Sequence, residues 1–108
     1  MPYTTEIIFC TCPDKATAVQ IAHLLIDSNL AACVNIVPGI VSIYKWQGKI
    51  ESADEHLLLI KSNDANYQAV ETKIKAHHPY ELPEIVAIPI TNGLPEYLNW
   101  IDSCLSLK

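Results

Sequence analysis

The sequence predicts an α+β fold: a ferredoxin-like split βαβ sandwich with a long hairpin between its second and third strands and an extra C-terminal helix. Three observations lead there. Strand and helix patterns alternate along the chain, a long hairpin joins the two halves, and two prolines fall where that layout puts its edge strands. At 108 residues the chain is read as one domain spanning residues 1–108, since two ordinary domains would not fit.

"EIIFCTC" reads as a short buried strand. "PDKATAVQIAHLLIDSN" follows as a helix, with Pro13 near its first position and Asp14 in its first turn. Ala18, Ile21, Ala22, Leu25 and Ile26 form its sheet-facing stripe. "CVNIVPGIVSIYKW" is a long strand bent at Pro38 and Gly39, and "QG" turns it into "KIESADEHLLLIK". Asn63 or Asp64 is expected to open a second helix with Tyr67, Val70 and Ile74 on one face. "EIVAIPI" closes the sheet, and "PEYLNWIDSCL" has the spacing of a last helix. Right-handed crossovers place the second and fourth strands at the edges, where Pro38 and Pro89 cost no ladder bond.

Composition narrows the function. The net charge is −5 and all seven basic residues are lysine, so there is no guanidinium fork and no basic stripe for nucleic acid. Asn35 and Pro38 interrupt the most apolar stretch before it spans a bilayer, and the N-terminus lacks a leader pattern. A soluble, cytoplasmic protein is expected, with Cys10, Cys12, Cys33 and Cys104 as thiols. Half of the residues are hydrophobic, a large share for so small a domain, and exposed strand edges add to the case for an oligomer. A closed trimer is one natural arrangement.

Only three glycines are present, so neither a dinucleotide fingerprint nor a P-loop can be written. No zincin, nucleophile-elbow or Cys-x-x-Cys motif occurs. No enzyme is expected. Cys10 and Cys12, two apart in a strand, place their thiols on one sheet face, either as core packing or as soft ligands for copper or zinc. Cys33 and Cys104 have no ligand spacing and read as packing residues. His77 and His78 flank the apolar stripe of the second helix, and Pro79 lets His78 leave helical geometry. They either finish the helix beside its carbonyls or bind a metal. Glu81 and Glu84, like Glu51, Asp54 and Glu55 with His56, read as solvated; His23 has no sequence partner.

Together "FCTCPDKATA", "LAACVNIVPGIVSIYKWQGKIE", "HHPYELPEI" and "EYLNWI" resemble the CutA divalent-cation tolerance family over nearly the whole chain. The resemblance implies a single CutA-like domain, a homotrimer built through the hairpins, an architecture like that of PII signalling trimers, and a role in tolerance of copper and other divalent cations without catalysis. It also implies a copper site at Cys10, His77 and His78, one ion per subunit, with zinc as a second candidate. Cys12 lies outside the family pattern. Two other readings remain: a PII-like metabolite sensor with an inter-subunit cleft near Tyr80, Pro83 and Glu84, and a trimeric scaffold whose hairpin docks a protein through Tyr44 and Trp46.

Overall fold

The structure, a computed structural model, describes residues 3–105. Seven elements follow in order: β1 (Thr5–Cys12), α1 (Lys15–Asp27), β2 (Cys33–Trp46), β3 (Lys49–Asn63), α2 (Tyr67–His77), β4 (Ile85–Pro89) and α3 (Pro95–Cys104). The strands form one antiparallel sheet in the order β2-β3-β1-β4. The edges are therefore β2 and β4, and they carry Pro38 and Pro89 as the sequence predicts.

Alternation along the strands separates two faces. Ile8, Cys10 and Cys12 of β1 join Leu58 and Ile60 of β3 on the face covered by Ala18, Ile21 and Leu25 of α1 and by Val70 and Ile74 of α2. These side chains form the core. The β2 ladder slips between Val37 and Ile40, where Gly39 takes φ 77°, so the predicted bend is a bulge. At the hairpin tip Gln47 and Gly48 have φ of 51° and 81° between paired Trp46 and Lys49, the backbone of a two-residue turn matched to strand twist. The long hairpin gives the molecule a 44 Å axis against 26 and 22 Å for the others.

Two helix starts differ from expectation. Asp14 is the N-cap of α1, not part of its first turn: its Oδ1 accepts from the Thr17 N–H at 2.8 Å, and Pro13 precedes the helix. Asn63 ends β3, and α2 begins only at Tyr67. The reason is local. The Asn63 side-chain oxygen accepts from the Asn66 backbone N–H at 3.0 Å and from its Nδ2 at 2.9 Å, which closes a turn in competition with helix. Pro95 opens α3, which buries Ile101 and leaves Tyr97 and Trp100 stacked and exposed.

Candidate metal centre

β1 carries Cys10 and Cys12 at alternate positions, so both sulfurs point into the core, and neither residue is exposed to solvent. α2 ends at His77, and the two adjacent histidines part there. His77 remains helical and exposed, with its Nδ1 3.0 Å from the Lys73 carbonyl oxygen. His78 precedes a proline and takes φ −86°, ψ 138°, the extended geometry that proline imposes on its predecessor. That turn swings its ring under β1. Nε2 donates to the Thr11 carbonyl oxygen at 2.8 Å, and Nδ1 accepts from the Tyr80 N–H at 3.1 Å. A carbonyl can only accept and a backbone amide can only donate, so the ring is a neutral Nε2–H tautomer.

Cys10, Cys12 and His78 converge: one donor atom from each lies within 4.8 Å of the others, and all three residues are buried. The structure thus brings Cys10 and His78 together, adds Cys12, and leaves His77 outside the cluster. The cluster lies within one chain. Hydrogen bonding between the sulfurs, and then burial, pushes the Cys10 thiol up, with Cys12, Glu84 and Glu55 adding repulsion. The hydrogen bond from Cys10 pulls the Cys12 thiol down, against burial and the charges of Asp14 and Glu55. Two sulfurs and an imidazole form a soft-to-borderline donor set, which suits copper and zinc better than magnesium or calcium.

A family model described as "CutA1 divalent ion tolerance protein" matches residues 6–104. The chain belongs to the CutA1 family. It is 43% identical over 99 residues to the divalent-cation tolerance protein CutA of Yersinia pestis (strain Pestoides F), covering 92% of this chain and 83% of that protein. A divalent cation tolerance protein from Thermus thermophilus superposes with TM-score 0.93 at 44% identity, covering 94% of this chain and 99% of that one. CutA from Xylella fastidiosa gives TM-score 0.92 at 48% identity over 95% and 99% of the two chains. A CutA from Archaeoglobus fulgidus, described as periplasmic, gives 0.91 at 42% over 94% and 99%.

Beside the cluster of this CutA1 chain lies a cleft of about 410 Å³ lined by Thr11, Tyr44, Trp46, Glu55, Tyr80 and Leu82, among others. Two separate sequence candidates, the hairpin aromatics and Tyr80, meet in it. Pro83 and Glu84 are not part of its lining; Glu84 is exposed. Glu55 departs from expectation. It is 7% exposed, and its Oε2 accepts from the Tyr80 O–H at 2.7 Å. Burial, followed by that hydrogen bond and the Glu55 charge, pushes the Tyr80 phenol up. The Tyr80 ring rests against His78 with centroids 4.7 Å apart. Cleft and cluster therefore share a wall made by Thr11 and Tyr80. Cys33 and Cys104 stand half-buried, Cys33 accepting from Lys61 Nζ at 3.9 Å.

Proposed function

We propose that this CutA1 family chain is a copper-binding protein of divalent-cation response, holding one ion per subunit at a centre anchored on Cys10 and His78, with His77 at its surface and zinc as a competing ion. The observation that carries this reading is the convergence of Cys10 and His78 in one buried cluster with Cys12. The relatives are named for divalent-cation tolerance, which favours the metal reading over the metabolite-sensor and scaffold alternatives. Binding rather than catalysis is the proposed activity. The cytoplasm is the proposed location, because thiols persist there as ligands.

A homotrimer completes the proposal. Val41, Ile43 and Ile50 of the hairpin and Val86 and Ile88 of edge strand β4 expose large apolar side chains, and unpaired edges invite pairing between copies. The decisive experiment titrates copper and zinc into reduced protein against a competing chelator, with native mass spectrometry counting ions per oligomer. Stoichiometric binding that is lost in Cys10→Ala and in the His77→Ala/His78→Ala double variant is expected. Weak binding that survives both would refute the reading.

A further inference from the structure

The centre contains more sulfur, and less available imidazole, than a cysteine with two histidines would supply. Both ring nitrogens of His78 are engaged, one donating to Thr11 and one accepting from Tyr80, so that ring has no spare lone pair in this arrangement. The ring of His77 is exposed on α2. Opposite Cys12 in the β1–β3 ladder stands His56, and its Nδ1 is buried with no hydrogen-bond partner among the described residues. Residues paired across strands share a face, with Cβ atoms about 4.5–5.5 Å apart. His56 thus shares the sheet face of Cys12 but lies outside the cluster of Cys10, Cys12 and His78.

Resting on the copper reading above, we infer that Cys12 is a direct ligand with Cys10 and that the pair forms a two-sulfur site selective for monovalent copper. The sulfur spacing fits. One ion between two sulfurs, with metal–sulfur bonds of about 2.3 Å, spans at most about 4.6 Å, and the donor atoms here lie within 4.8 Å of one another. A disulfide is the competing fate of two close thiols. Residues two apart along a strand have Cα atoms about 6.7 Å apart, at the long limit for a disulfide, so the pair favours metal capture over internal oxidation. Binding one monovalent copper ion replaces two S–H protons, which pass to solvent. With no carboxylate among the donors, soft sulfur favours the monovalent ion over hard divalent ones.

The test uses the full chain and copper(I) supplied with a reductant and a copper(I)-selective chelator, read by competition and by X-ray absorption at the copper edge. Wild type is expected to show two sulfur neighbours. Cys12→Ala should weaken copper(I) binding by more than about 100-fold, beyond what loss of an outer-shell partner costs. Circular dichroism of each variant checks that it is folded. A single sulfur neighbour, or unchanged copper(I) affinity in Cys12→Ala, overturns the inference. If copper binding survives Cys12→Ala but is lost on removing His77 and His78, this inference falls and the copper reading stands; if wild type binds no copper, both fall.

Discussion

The imidazole of His78 donates from Nε2 to the carbonyl oxygen of Thr11 at 2.8 Å, joining the end of α2 to β1 between the two cysteines. The same ring accepts the Tyr80 amide, so one side chain satisfies two backbone groups next to the core. Removing it deletes the stronger donor to the Thr11 carbonyl, which also accepts from the Cys10 thiol at 3.8 Å, and takes the ring acceptor from the Tyr80 amide, at about 1–3 kcal/mol for a buried group left unpaired. His78→Ala should therefore lower unfolding free energy in urea by more than about 1 kcal/mol. His77→Ala, on the exposed side of the helix end, should stay within about 0.5 kcal/mol of wild type. Equal effects of the two substitutions would contradict the divergence of the rings.

The bond between the Tyr80 hydroxyl and Glu55 closes the wall of the cleft. Tyr80→Phe deletes that donor and leaves a buried carboxylate without it, a loss of about 1–3 kcal/mol. Glu55→Gln keeps an acceptor for the hydroxyl and should cost less. Denaturant titration of the two variants compares them directly. A Tyr80→Phe protein as stable as wild type would show that Glu55 finds other donors.

Much of this is legible in the sequence because the signals are local. Period-two spacing places Cys10 and Cys12 on one face, and the pre-proline rule separates His78 from His77. Pro38 and Pro89 mark the sheet edges for an equally local reason, the missing amide donor. Glu55 is not legible. On a charged strand it reads as solvated, and only folding brings Tyr80, 25 residues away, onto it. The orphaned Nδ1 of His56 is hidden likewise, since partnership inside a core is not a sequence property. Asn63 reads as a helix start because strand ends and helix starts present the same polar residues, and side-chain hydrogen bonds decide between them.

Asn63 offers a test of that local competition. Its amide oxygen holds Asn66, and its Nδ2 reaches Asp102 Oδ1 at 3.4 Å, tying the turn to α3. Asn63→Ala should cost about 1–3 kcal/mol and raise amide exchange at Asn66 relative to the sheet. Asn63→Asp keeps the acceptor but puts a carboxylate beside Asp102, so it should fall between wild type and alanine. Unchanged exchange at Asn66 in Asn63→Ala would show that the backbone alone holds the turn.

The hairpin bears on assembly. Ile43 and Ile50 are 73% and 77% exposed and belong to the β2–β3 ladder. In a trimer built through the hairpins, Ile43→Lys places a charge in an apolar contact, and sedimentation should show dissociation toward smaller species. In a chain that does not assemble there, the same lysine on a solvated surface should change neither mass nor stability by more than about 0.5 kcal/mol. The mass distribution at micromolar concentration separates the cases.

Alkaline pH gives the last test. The Tyr67 phenol is pushed up to about 12 from 10.0 by burial, by its hydrogen bond to Glu71 and by the charges of Glu71 and Glu6. Its O–H donates to Glu71 Oε2 at 2.8 Å. Between those two pH values the unfolded chain has lost the proton and the folded chain retains it, so the folded state binds more protons and stability falls as pH rises. The contribution is complete below about pH 10 and disappears as pH passes through about 12. Urea midpoints across that window should decline less steeply in Tyr67→Phe than in wild type, and the variant's ultraviolet titration should lose one late-ionising phenol. Parallel slopes in the two proteins would mean that Tyr67 ionises as readily folded as unfolded.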